Sequence, residues 1–271
     1  MSMQNITFFQ EKARKVRREL FEKFLLLQQG HPGSSFSMVD LAVALYYGNF
    51  IRKDPTNPTK LYDKMIVSKG HATASIYPIL ADLGVIPSQE WNKWGHDPSV
   101  LRVFGNISIP GVDATSGSLG HGLGIAAGYA LSFKRRKLDR RVFVVVSEGE
   151  LYEGSTWESL LFINHNKLDN IYILLDRNDL IILGDTESCV KLEPIKEKIA
   201  AFGFQIHEMD GHDFDEILNT FERIVTSRLP SVLIAKTIKG KGVRLMENKP
   251  KWHYWNPLTE AEIDLCRNDL Q

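Results

Sequence analysis

Three glycine–histidine clusters punctuate the chain: Gly30-His31-Pro32-Gly33, Lys69-Gly70-His71-Ala72 and Gly117-Ser118-Leu119-Gly120-His121-Gly122. Glycine in a strand–loop–helix turn lets backbone N–H groups approach a phosphate, and the following helix N-terminus favours negative charge. A single Gly-His pair is more often a turn beside a packed histidine, but three in one chain strengthen the case for an anionic ligand considerably. The richest stretch is 144–185. One apolar run there ends at Ser147 before Glu148-Gly149, and a second ends at Asp176-Arg177-Asn178. As neighbouring parallel strands, these runs would set Glu148 beside Asn178 at the edge where open α/β sheets bind ligands. A carboxylate, an amide oxygen and a nearby backbone carbonyl form a hard-oxygen set. Mg²⁺ takes such ligands in an octahedral shell completed by water and substrate phosphates. The plainer alternative makes Glu148 a helix cap and Asn178 a turn residue, and spacing alone does not choose between them.

The elements that would position these groups are legible in the apolar pattern. Phe9, Ala13, Val16, Leu20, Phe24 and Leu27 recur every three or four residues, which predicts a helix from about Phe8 to Gln29 stopped by Gly30. Ser37 is a good N-cap for a second helix carrying Val39, Leu41, Ala42 and Leu45. Strands are expected at Met65–Ser68, Val142–Ser147, Ile171–Asp176, Phe204–Glu208 and Val232–Ala235. Helices are expected at Ala72–Leu83, Gly120–Phe133, Ser155–Asn166, Pro194–Phe202 and Phe214–Ser227. This alternation predicts an α/β fold in one domain, residues 1–271, with a mostly parallel, doubly wound sheet flanked by helices. The stretch 84–110, rich in Trp, Pro and Gly, reads as a long ordered loop.

Composition narrows the function classes. The 33 basic and 33 acidic residues cancel, so no bulk field favours nucleic acid or an anionic membrane. The basic run from Lys134 to Arg141 reads as a solvated helix end, where cations suit the helix dipole. Cys189 and Cys266 form no CxxC pair, which fits a reducing compartment. No uncharged stretch approaches the roughly 18 apolar residues a membrane span needs, and the N-terminus carries no signal-peptide pattern. A soluble, cytoplasmic protein is expected.

The segment Glu148-Gly149-Glu150-Leu151-Tyr152-Glu153-Gly154, with Leu168-Asp169-Asn170 and Asp176-Arg177-Asn178, resembles the thiamine-diphosphate fingerprint of the transketolase family. The upstream runs 30–46, 65–72 and 110–131 and the late run 237–253 agree in order and spacing, so the resemblance covers nearly the whole chain. It is nearest to N-terminal subunits of transketolases split into two chains. The resemblance implies thiamine diphosphate as cofactor and ketol transfer, a two-carbon unit moving from a ketose to an aldehyde or keto-sugar acceptor. It implies Glu148, Asn178 and the carbonyl of Leu180 as ligands of Mg²⁺, with Ca²⁺ or Mn²⁺ as other candidates. His31, His71 and His253 would surround the diphosphate, the thiazolium and the donor sugar as the catalytic set. Gly117, Leu119 and Gly120 would contact the cofactor, as would Gly149 and Glu150 of the fingerprint. Glu153 and Glu158 match glutamates at the family's subunit interface, although a solvated helix face explains them equally. His96, His165, His207 and His212 match no motif and are expected to be structural or exposed.

Two departures stand out. Most relatives read Gly-Asp-Gly where this chain has Ser147-Glu148-Gly149, and the longer carboxylate requires the metal or the backbone to shift. Mg²⁺ tolerates such shifts less well than Ca²⁺. The family's donor-sugar histidine loop is replaced by Phe104-Gly105-Asn106-Ile107-Ser108, where Asn106 is the available hydrogen-bonding group. In the family, the glutamate that activates the cofactor's aminopyrimidine sits in a separate pyrimidine-binding domain. A C-terminal partner subunit carrying that domain is therefore expected, in an α2β2 assembly acting on phosphorylated or nucleotide-linked sugars. Two alternatives stay open: an acyl-forming subunit of the 2-oxo acid dehydrogenase type, and a non-catalytic regulatory subunit.

Overall fold

A computed structural model describes residues 3–96, 98–227 and 229–271. Strands β1 (Lys53–Asp54) and β2 (Asn57–Leu61) form a small antiparallel hairpin. Strands β3 (Lys64–Val67), β4 (Val142–Ser147), β5 (Ile171–Arg177), β6 (Gln205–Asp210) and β7 (Ser231–Lys236) form a five-stranded sheet in the order β3-β4-β5-β7-β6. Every neighbouring pair in that sheet is parallel. All five lie where the apolar runs place them, with ends moved by one or two residues.

The helices are α1 (Met3–Leu27), α2 (Pro32–Ser37), α3 (Val39–Tyr47), α4 (Tyr77–Asp82), α5 (Ser88–Lys93) and α6 (Gly122–Arg135). They continue with α7 (Gly154–His165), α8 (Thr186–Cys189), α9 (Ile195–Ala201), α10 (Phe214–Ser227) and α11 (Glu260–Asp269). Side chains alternate across the sheet, so each strand feeds two cores. Phe143, Val145, Tyr172, Leu174 and Leu233 pack with α1, α3 and α10, whereas Val142, Val144, Ile171, Ile173 and Val232 pack with α6, α7 and α9. Burial on both faces is why β4, β5 and β7 read as unbroken apolar runs.

Several boundaries differ from the expected ones for physical reasons. Helix α1 ends at Leu27 because Gln28 takes the left-handed position at φ 50, two residues before Gly30. Ser37 caps no helix: it closes α2, and its hydroxyl donates to Asp176 at 2.6 Å. The segment expected as one helix from Ala72 to Leu83 divides into a 3₁₀ turn, Gly70–Ile76, and α4. The loop 84–110 contains α5 and is anchored by Trp91 stacked on Trp94, whose ring also meets Phe24 and Tyr77. The basic run starts in the last turn of α6, as read, and Lys134 pairs with Asp169 at 3.0 Å. Among the described residues, no helix is long and apolar enough to cross a membrane.

Candidate cofactor and metal site

The carboxyl ends of β4 and β5 run in register, with Ser147 opposite Asp176. The residues that follow, Glu148 and Asn178, are therefore brought side by side, and both are buried. Oε1 of Glu148 accepts the backbone N–H of Leu180 at 2.8 Å and of Asn178 at 3.3 Å. Its other oxygen, Oε2, is held by the guanidinium of Arg177. Burial raises the pKa of the Glu148 carboxyl, and Arg177 opposes that rise.

The donor set fits a hard divalent cation. One end of the Asn178 amide lies 3.1 Å from the Leu180 carbonyl oxygen and 3.3 Å from Oε1 of Glu148. With its NH₂ at that end the amide donates to both; turned over, it sets its oxygen beside the other two as a ligand set for a cation. Octahedral ligands about 2.1 Å from Mg²⁺ would lie about 3 Å apart, and the spacing here is close to that. With one carboxylate and two neutral oxygens, the set leaves positions for phosphate oxygens and water.

Lys239 projects into the same edge. It is 2% exposed, and its ammonium lies 3.2 Å from the Leu180 carbonyl and 3.2 Å from Nδ1 of His253. Burial and the charge of Lys69 lower its pKa to about 8. Beneath it lies a closed polar network. The Lys69 ammonium donates to the Ser34 carbonyl at 2.8 Å and pairs with Asp176, which also accepts from Ser37 and Thr237. Burial alone would raise the Asp176 pKa, but the charge of Lys69 and the hydrogen bonds from Lys69, Ser37 and Thr237 together outweigh it, and the carboxyl stays below its ordinary range. A buried pair so fully bonded fixes the ends of β3, β5 and β7 relative to α2 more than it stabilises the fold.

The three expected histidines converge from three separate turns. His31 precedes α2, His71 lies in the 3₁₀ turn after β3, and His253 closes the 3₁₀ turn Pro250–His253. Ring centroids are 5.1 Å apart for His31 and His71, 5.5 Å for His31 and His253, and 5.3 Å for His71 and His253. Gly33 makes this meeting possible, because a Cβ there would stand 2.8 Å from the Trp252 carbonyl. Backbone bonds then lock the turns together: Gly240 N–H to Gly33 and Trp255 N–H to Gly30, both at 2.9 Å. Burial, then the charge of Lys239, lowers His31 to about 4 and His253 to about 3. His71 is lowered as well, first by burial and then by Lys69. All three rings are neutral near pH 7, and Nδ1 of His31 is buried without a hydrogen-bond partner.

The glycine loop 117–122 starts beside Gly70, the residue before His71, where a Cβ would stand 2.7 Å from the Gly117 amide nitrogen. Gly120, at φ 81, requires glycine, and its N–H donates to Glu150 Oε1 at 2.9 Å. Glu150 is fully buried and also accepts from Ser68 and from the Ser147 N–H at 2.8 Å. Its carboxylate thus ties the ends of β3 and β4 to the loop that carries Gly117 and Leu119. Gly149 sits in the 3₁₀ turn Glu148–Tyr152, against Ile181. Phe104, rather than Asn106, borders the histidines: its ring is 5.6 Å from His31, whereas the Asn106 side chain caps the Ser108 N–H at 2.8 Å. Glu153 is exposed just before α7, and Glu158 is exposed on it beside Leu161 and Phe162. His212 proves structural, with Nδ1 on Asp40 at 2.6 Å and Nε2 accepting the Ile238 N–H at 2.8 Å.

Sequence reasoning missed Lys239, Lys69 and Arg177. A lysine at the carboxyl end of a predicted strand, as at 69, was a usable signal. The partners of Arg177 were not, since Asp179, Glu187 and Glu193 come from the turns and the four-residue helix α8 between β5 and α9.

Residues 11–271 match the family described as transketolase, thiamine diphosphate binding domain. An apulose-4-phosphate transketolase subunit of Phocaeicola vulgatus is 36% identical over 258 residues, 94% of this chain and 92% of that protein. The 6-deoxy-6-sulfo-D-fructose transketolase subunit SqwG of a Clostridium species is 33% identical, over 93% of this chain and 92% of its own length. Among solved structures, the transketolase of Campylobacter jejuni superposes with a TM-score of 0.88 at 28% identity. That match takes in 100% of this chain but 43% of the other, so the chain spans under half of that transketolase.

Proposed function

The chain belongs to the transketolase family through its thiamine diphosphate-binding domain, and from that membership we propose that it is the cofactor-anchoring subunit of a split transketolase. Residues 1–271 act as one diphosphate-binding module, paired with a companion chain that carries the pyrimidine-binding domain, two copies of each. The relatives named as transketolase subunits support this, because they match along 92% of their own length. The reaction is transfer of a two-carbon ketol unit between sugars, phosphorylated or nucleotide-linked. Two unpaired cysteines support a cytoplasmic setting.

Bound thiamine diphosphate supplies the nucleophilic, electron-accepting carbon that such a transfer requires. The chain's own residues do the holding. Glu148, Asn178 and the Leu180 carbonyl hold Mg²⁺, and Lys239 meets the diphosphate charge. Gly117 and Leu119 line the cofactor, while Gly120 and Gly149 approach it through backbone, with Glu150 keeping the loop in place. His31, His71 and His253, being neutral, offer a donor or an acceptor to the sugar hydroxyls and to the cofactor. The exposed face of α7, with Glu153 and Glu158 nearby, faces a neighbouring subunit. The observation that carries the reading is the convergence of three oxygens, one buried ammonium and three neutral histidines at one edge of the sheet.

The test is reconstitution. The purified chain alone should show no ketol transfer from a ketose phosphate to an aldose phosphate. Adding the companion chain, thiamine diphosphate and Mg²⁺ should restore transfer and tighten cofactor binding together. Transfer by the isolated chain at the rate of the mixture would contradict the split arrangement.

A further inference from the structure

The resemblance sets Glu148 where most relatives carry the shorter aspartate, and both of its carboxylate oxygens are held within the chain. Arg177, the last residue of β5, holds Oε2 of Glu148, while two backbone N–H groups hold Oε1. The guanidinium is itself fixed from several sides. Nη1 meets Asp179 at 3.1 Å and Thr186 Oγ1 at 3.1 Å, and Nη2 meets Glu193 at 2.9 Å and Glu187 at 3.9 Å. Its side chain is 11% exposed. Rotating Glu148 to present both oxygens to a metal would break a buried charge-assisted bond, which is costly to lose.

Resting on the proposed metal role of Glu148, we propose that Arg177 is a positioning residue that sets metal preference. By occupying Oε2 it leaves only Oε1, which also accepts two backbone N–H groups, to face a metal, and so favours Mg²⁺ over Ca²⁺. Mg²⁺ takes six ligands in near-ideal octahedral geometry, to which a carboxylate gives one oxygen. Ca²⁺ takes six to eight at longer distances and gains from a carboxylate binding through both oxygens. A carboxylate clamped on one side serves the first ion and withholds a ligand from the second. The longer glutamate and the arginine thus act together, which counters the calcium tolerance that the added length alone would bring.

The test reads cofactor affinity rather than activity. Thiamine diphosphate is titrated calorimetrically into the full chain with Mg²⁺ and, separately, with Ca²⁺, for wild type, R177M, R177K and E148A. R177M, which has no donor for Oε2, should move the ratio of the two affinities toward Ca²⁺ by roughly tenfold, the scale of one charge-assisted hydrogen bond. R177K keeps a donor for Oε2 and should stay within about threefold of wild type. An unchanged ratio in R177M overturns the role of Arg177. If wild type binds equally with and without metal, or E148A binds like wild type, the metal assignment itself fails. R177M leaves a buried carboxylate without its cation and can lose its fold, so a second measurement uses the wild-type chain. A crystal structure with thiamine diphosphate and Ca²⁺ should show Glu148 on the ion through one oxygen, with Arg177 on the other. Both oxygens on calcium would overturn the proposal.

Discussion

The ammonium of Lys239 and Nδ1 of His253 stand 3.2 Å apart, although the two residues reach the site from different turns. A neutral imidazole that accepts at Nδ1 carries its proton on Nε2, so the contact sets the tautomer as well as the position of the ring. The same lysine also touches the Leu180 carbonyl, one of the three oxygens, at 3.2 Å.

Lys239→Met should therefore weaken thiamine diphosphate binding by roughly tenfold or more, the scale of a lost charge-assisted contact. The melting temperature of the cofactor-free protein should hold or rise, because burying this charge works against folding. The lysine is charged below its pKa of about 8. Wild-type affinity should thus fall as pH rises through that value, and the fall should be absent in the methionine variant. Calorimetry across pH 7 to about 9 checks both points.

The histidines respond to acid. Their folded pKa values lie below the ordinary histidine value, at about 4 for His31 and about 3 for His253. As pH drops below about 6.5, the unfolded chain takes up protons that the folded chain refuses, so stability falls. The loss should run from near the ordinary histidine pKa down to the lowered values, with stability full above it. His31→Gln should flatten this slope in thermal melts of the cofactor-free protein. It should also reduce ketol transfer by the reconstituted enzyme. An unchanged slope would place His31 in water rather than in the cluster.

Much of this was legible in the sequence, and the limits have physical causes. Strands β4 and β5 are buried on both faces, so their apolar runs announced the sheet, and their ends placed Glu148 beside Asn178. Helix boundaries were less legible, because Ser37 spends its hydroxyl on Asp176, a partner far away in sequence. The closing helix α11 was missed, although Thr259 and Glu262 form a capping box with a recognisable spacing. Hairpin β1–β2 has too few apolar residues to show a period. Glu150 looked like a cofactor contact from the motif alone. Only the folded chain shows that its carboxylate is held by Ser68, Gly120 and Ser147.

Those bonds give Glu150 a signature distinct from that of Glu148. Glu150→Ala would strip the acceptor from two backbone N–H groups and from the Ser68 hydroxyl. Each group left unsatisfied in the interior costs about 1–3 kcal/mol. The melting temperature of the cofactor-free protein should drop by several degrees, and cofactor affinity should weaken as the loop at Gly120 loosens. Glu150→Gln, which keeps an acceptor, should lie between the alanine variant and wild type. A thermal melt of the three proteins is sufficient. An alanine variant as stable as wild type would contradict the clamp.

The most direct measurement is calorimetric titration of thiamine diphosphate, with and without Mg²⁺, into wild type and Glu148→Ala. Glu148 gives the proposed metal shell its one anionic side chain, beside the neutral oxygens of Asn178 and Leu180. The expected result is binding that depends on Mg²⁺ in wild type and is at least roughly tenfold weaker in the alanine variant, with the metal dependence gone. Equal affinity of the two proteins in Mg²⁺ would contradict the assignment of this edge as the metal and cofactor anchor.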